Sequence, residues 1–171
     1  ELADKLLKNN LIDSIICFSP SSIVSQDFNE SLQLTTQERF DGLIGAKGRS
    51  LTYQSLQYLD GNFWKLFNKF RVFVIFDEIH HCSGSQPDNA NAWGEEIIMH
   101  IQKYASYTLA LTGTPWRSDK IPIALSRYCT EGKVICDYSY GLDQAIRDRV
   151  CRTPKIVAID NENISVREDD N

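Results

Sequence analysis

The sequence has 171 residues, of which 42% are hydrophobic and 24% charged, and its net charge is −5. This composition is globular and the length suits one domain with a substantial core, which excludes a disordered chain. No apolar run approaches about 18 residues, so no helix is predicted to cross a membrane. The negative balance excludes a generally basic field, and any contact with nucleic acid must come from local loops.

The chain opens on Glu1-Leu2-Ala3-Asp4-Lys5-Leu6-Leu7, which reads as the middle of an amphipathic helix with Leu2, Leu6 and Leu7 on one side. It carries neither an initiator methionine nor the pattern of a signal peptide, so the chain is expected to derive from a longer one. Ile12 to Phe18 is a continuous apolar run and predicts a strand buried on both faces, as in a parallel sheet covered by helices. Weaker strands are predicted at Gly42–Gly45 and Leu51–Tyr53. Two short helices, Tyr53–Leu59 and Phe63–Phe70, flank the turn signal Asp60-Gly61-Asn62. A second buried strand is predicted at Val72–Phe76, and a helix at Ala92–Ala105 whose face carries Trp93, Ile97, Ile98, Ile101 and Tyr104. A third buried strand falls at Thr108–Leu111. Further strands are predicted at Lys133–Tyr138 and Lys155–Ile159, with a short helix at Leu142–Val150. The acidic tail from Asp160 to Asn171 reads as a linker or disordered end.

This alternation predicts a doubly wound α/β domain over residues 1–159, followed by the tail at 160–171. The cysteines Cys17, Cys82, Cys129, Cys136 and Cys151 are odd in number and contain no CxxC pair, which points to a reducing cytoplasm.

The strand Val72–Phe76 runs into Asp77-Glu78-Ile79-His80. In open α/β sheets ligands collect beyond the carboxyl ends of the strands. Asp77 there suits Mg²⁺, held through water, because a hard cation on phosphates needs only one or two carboxylates. Glu78 suits the polarisation of an attacking water. By themselves two acids after an apolar run also fit a simple strand cap. The strand Thr108–Leu111 likewise delivers Thr112-Gly113-Thr114-Pro115 to a sheet edge, where two hydroxyls flank a glycine. Ser19-Pro20-Ser21-Ser22 follows the first strand, and Gly45-Ala46-Lys47-Gly48 precedes Leu51-Thr52-Tyr53-Gln54. Small and hydroxyl residues of this kind position a phosphate backbone without reading bases, or merely form turns.

In this order the segments SPSS, GAKG with TYQ, DEIH and TGTPWR resemble motifs Ia, Ib/Ic, II and III of superfamily 2 helicases, in particular the DEAH-like group that includes the motor subunits of type III restriction enzymes. The resemblance runs from about Leu2 to Asp119 and more loosely to Pro154. It implies a RecA-like P-loop NTPase fold, a three-layer sandwich with a mostly parallel sheet, which works as a pair of lobes that ATP closes. It also implies the roles of individual residues. Asp77 would hold Mg²⁺, Glu78 would be the catalytic base, and His80 would report the state of the nucleotide site. Thr112, Gly113 and Thr114 would couple hydrolysis to movement. Ser19, Pro20, Ser21, Gly45, Thr52, Tyr53 and Gln54 would line the track of the nucleic acid, more readily DNA than RNA.

One part of that pattern is absent from the sequence. A phosphate loop reads GxxxxGK[ST], and the glycine-rich Gly45-Ala46-Lys47-Gly48-Arg49-Ser50 has the wrong spacing. The resemblance places that loop just upstream of the helix at Leu2–Leu7, so ATP would be held only in a longer parent, and the isolated chain is expected to be inactive. A non-hydrolysing scaffold for nucleic acid or protein, and a different Mg²⁺-dependent hydrolase, remain alternatives. His80-His81-Cys82 lacks the spaced pairs of a zinc site. His100 is expected at the surface, Trp93 in the core, and Asp143, Arg147, Asp148 and Arg149 on a solvated face. Trp116 and Arg117 suit either a stacking platform or a packed loop.

Overall fold

The structure, a computed structural model, describes residues 1–155. Contacts divide the chain into a unit spanning Glu1–Ile135 and a second that begins at Cys136. The expected boundary at 159/160 and most of the expected strand at Lys155–Ile159 lie outside the described residues.

In the first unit, α1 (Leu2–Lys8) leads to β1 (Ser14–Ser19), α2 (Ser22–Thr36) and β2 (Gly48–Thr52). A 3₁₀ turn at Tyr53–Tyr58, α3 (Gly61–Trp64) and α4 (Leu66–Lys69) precede β3 (Val72–Phe76). Then come 3₁₀ turns at Ile79–His81 and Pro87–Asn89, α5 (Ala92–His100) and β4 (Tyr107–Ala110). A small antiparallel pair, β5 (Arg127–Tyr128) with β6 (Val134–Ile135), closes the unit. The second unit holds α6 (Leu142–Arg147), where Tyr140 donates to Asp148.

The main sheet has the order β2-β1-β3-β4, and every pairing is parallel. Alternation along β1 and β3 splits the core in two, because successive side chains leave opposite faces. Ile16, Phe18, Val72, Val74 and Phe76 join Tyr53, Leu56, Phe67, Ile97 and Ile101 in one cluster. Ile15, Cys17, Phe73 and Ile75 join Ala3, Ile12, Leu32 and Phe40 in the other. Both strands are therefore covered on both sides, as their unbroken apolar runs predict. Burial of this kind holds the thiols of Cys17 and Cys82 in their neutral form and pushes each up to about 12.

Several expected elements differ. Gly42–Gly45 is not a strand, since Gly42 and Gly45 take positive φ of 73° and 85° in an exposed turn. Tyr53–Leu59 tightens into 3₁₀ geometry, and Phe63–Phe70 is broken at Lys65, which caps both α3 and α4. The expected helix at Ala92–Ala105 ends at His100, and the strand expected over Lys133–Tyr138 shrinks to β6. Helix α2 was not predicted. It starts at Ser21, whose hydroxyl accepts from the Val24 amide, and lies on β2 through small groups: Ser25 Oγ donates to Ser50 Oγ at 3.0 Å. β4 also departs from expectation. It is the outer strand, and Tyr107, Thr108 and Ala110 are exposed because nothing among the described residues pairs with its far side.

No helix among the described residues is long and apolar enough to cross a membrane.

Candidate functional site

Parallel pairing sends β1, β2, β3 and β4 out of the sheet in the same direction, so the loops after them gather at one edge. The register aligns Phe18 with Phe76 and Ser19 with Thr52, while Phe76 lies beside Ala110. Three backbone hydrogen bonds continue the ladder past the strand ends: Asp77 N–H to the Phe18 carbonyl at 2.9 Å, Leu111 N–H to Phe76 at 2.8 Å, and Ile79 N–H to Leu111 at 3.0 Å. The Asp77-Glu78 turn and the Thr112–Thr114 loop are thus held side by side.

Glu78 sits at the bend with φ 50° and ψ 48°, a left-handed conformation that is uncommon for a residue with a side chain. Its carboxylate reaches His80, with Oε2 3.1 Å from Nδ1. The same nitrogen lies 2.8 Å from Thr112 Oγ1 and 3.2 Å from Thr114 Oγ1. Thr112 Oγ1 also accepts from the Thr114 amide at 3.0 Å, which curls the loop around Gly113. The carboxyl of Asp77 is half-buried, and its pKa is raised above the ordinary range, first by desolvation and then by the charge of Glu78. Two adjacent acids, one of them desolvated, make a place where a cation is favoured.

The donor set fits a hard cation that takes most of its ligands from phosphate and water. Among the described residues no three His, Cys, Asp or Glu side chains converge, and a protein-only cage is absent. In His80-His81-Cys82 the two rings lie 4.3 Å apart by centroid while Cys82 is buried in the core, so the three do not face one point.

The residues expected along a nucleic-acid track separate into groups. Ser21 and Gln54 are exposed at the carboxyl edge of the sheet, with Pro20 and Thr52 half-buried beside them. The Gln54 amide donates to the Pro20 carbonyl at 3.3 Å, and the hydroxyls of Thr52 and Ser55 lie 3.0 Å apart. Ser19 does not face this surface; it is fully buried and its hydroxyl donates to the Ser21 carbonyl. Tyr53 is also fully buried, stacked near Phe18 and Trp93, and donates its hydroxyl to the Asp77 carbonyl at 2.7 Å. Gly45 lies at the opposite end of the sheet, before the start of β2. The four steps from Gly48 to Thr52 put about 13 Å between that end and the carboxyl edge. The glycine of that loop with a clear structural duty is Gly48, where an added Cβ would lie 1.7 Å from the Ile15 carbonyl oxygen. Its smallness serves the approach of two strands.

Arg117 was unassigned from sequence. Its side chain is only 19% exposed, and its guanidinium forks onto Asp119 and donates to the His80 carbonyl, so it pins the Ile79–His81 turn to the loop after β4. The spacing Arg-x-Asp beyond the TGTP turn is the signal that would have found it. Trp116 is 65% exposed. His100 stacks on Trp64 at 4.6 Å rather than standing free, and Trp93 packs partly buried against the first cluster.

No protein-family model matches the chain. It is 40% identical over 86 residues to an uncharacterized protein of Mycobacterium leprae (strain TN), and 37% identical over 86 residues to an uncharacterized protein of Mycobacterium tuberculosis. Each match covers 48% of this chain and 13% of the relative's length, so the chain spans only a small part of these relatives.

Proposed function

We propose that this region is part of the first RecA-like lobe of a superfamily 2 helicase or translocase, an ATPase that moves on DNA or RNA. The observation that carries the reading is the meeting of the Asp77-Glu78 turn with the Thr112–Thr114 loop at the carboxyl edge of adjacent parallel strands, joined through His80 Nδ1. In a loaded site Asp77 would hold Mg²⁺, which supplies neutralisation of the charge that develops on the transferred phosphoryl group. Glu78, at the bend and 41% exposed at its side chain, orients a water and takes its proton. His80 touches both Glu78 and the threonines, so a change at either is felt by the other. Ser21 and Gln54 offer polar groups to a phosphate backbone on the neighbouring surface.

The reading assigns the phosphate loop to a part of the longer protein outside this sequence, together with the second lobe. The far side of β4 supports this: nothing among the described residues pairs with it, and a further strand would fit there. The same reading makes the protein cytoplasmic.

The test is Glu78→Gln in the full-length protein. ATP hydrolysis stimulated by nucleic acid is expected to be abolished while ATP still binds. Unchanged turnover rejects the assignment.

A further inference from the structure

We infer that Tyr53 is a positioning residue that links the polymer-facing turn to the acid pair, so that nucleic acid at Ser21 and Gln54 sets the aim of Glu78. The inference rests on the function proposed above.

The carbonyl of Asp77 and the amide of Glu78 belong to the same rigid unit. Tyr53 Oη donates to that carbonyl at 2.7 Å, so the hydroxyl fixes the plane from which the left-handed φ of Glu78 turns. Rotation of the plane would re-aim the Glu78 carboxylate and its contact with His80. The amide of Asp77 is anchored separately to Phe18, so the Tyr53 bond acts on the peptide that follows the residue, beside the contact of the Glu78 amide with the Asp77 carboxyl.

Tyr53 is itself held. Its ring lies 6.4 Å from Phe18 and 5.7 Å from Trp93, stacked in both cases, and is fully buried. Such a ring moves only with its backbone. That backbone continues into Gln54, which is exposed and bonded to the Pro20 carbonyl, and follows Thr52, whose hydroxyl meets Ser55. A phosphate backbone that competes for the Gln54 amide shifts the turn one residue from Tyr53. The path from the surface to the acid pair is therefore one peptide, one ring and one hydrogen bond. Its buried middle member is the residue that sequence placed on the track.

The test uses the full-length protein and Tyr53→Phe, which keeps the ring and removes the bond. Two quantities are measured: the ratio of ATP hydrolysis with and without an oligonucleotide duplex, and the affinity for that duplex by fluorescence anisotropy. The ratio is expected to fall about tenfold, equal to about 1.4 kcal/mol, while affinity stays within about twofold. Adding Gln54→Ala to Tyr53→Phe is expected to lower the ratio no further, because the link is already cut. An unchanged ratio, or one that falls only as far as binding does, overturns the inference while leaving the motor reading intact. If Tyr53→Phe does not fold, Gln54→Ala measured at saturating duplex takes its place: the ratio is expected to fall there, and an unchanged ratio overturns the inference. A wild-type protein with no stimulated hydrolysis refutes the motor reading and this inference with it.

Discussion

The left-handed bend at Glu78 has a measurable thermodynamic signature. Replacing Glu78 by Ala or by Gly removes the same carboxylate and the same contact with His80, so those losses cancel when the two variants are compared with each other. What remains is the backbone. A residue with a Cβ pays about 1–2 kcal/mol in the left-handed region. Gly escapes that strain but loses about 0.5–1 kcal/mol more conformational entropy than Ala on folding. Glu78→Gly is therefore expected to be more stable than Glu78→Ala by about 0.5–1 kcal/mol. With a urea slope near 2 kcal/mol/M, the midpoints should differ by about 0.3–0.5 M. Equilibrium urea unfolding of the two variants, followed by circular dichroism, makes the measurement. A higher midpoint for the Ala variant would refute the left-handed assignment, and with it the geometry that turns Glu78 toward His80.

Two further predictions concern charge. The Asp77 carboxyl has a raised pKa, so its ionisation opposes folding: its contribution is most favourable below the unfolded value and is lost as pH rises through the folded one. Asp77→Asn should accordingly raise the melting temperature at pH 7 in metal-free buffer and give no gain at pH 3; a lower melting temperature at pH 7 contradicts the assignment. Asp13 behaves in the opposite way, because hydrogen bonds from Arg71 lower its pKa from 3.8 to about 2. Its stabilisation is present above pH 3.8 and disappears as pH falls toward about 2, so Asp13→Asn should flatten the loss of stability across that interval in an acid titration, and an unaltered acid limb would show that the pair with Arg71 is not formed in solution.

The parts of the fold that were legible in the sequence are those whose burial is complete. Val72–Phe76 is a strand with the predicted limits, and β1 differs by a residue or two, because strands covered on both faces leave unbroken apolar runs. Helix α2 escaped notice because only Ser25, Leu32 and Thr36 of its residues are buried. Its stripe of Val24, Phe28 and Leu32 is narrow, and the contact with β2 is made by small polar groups. The candidate site was legible where it lies in loops that directly continue strands, as with Asp77, Glu78, Thr112 and Thr114. It was not legible for Tyr53 and Ser19. A sequence shows which residues adjoin a loop, whereas the direction of a side chain at the end of a strand depends on pleat register. The 3₁₀ turn that follows β2 sends Tyr53 and Leu56 inward and leaves Gln54 outward. Gly45 was grouped with the wrong end of the sheet for a related reason: nearness in sequence to Thr52 hides the length of the strand between them.

The ring nitrogen of His80 has one proton or one lone pair to offer in its plane, yet three oxygens stand around it. Full-strength bonding to the carboxylate and to both threonines at once is chemically impossible. The cluster is a contest with one winner at a time, and withdrawing Glu78 hands the vacancy to a hydroxyl. Three oxygens competing for a single atom leave this corner more than one way to bond, with the sheet beneath it unchanged.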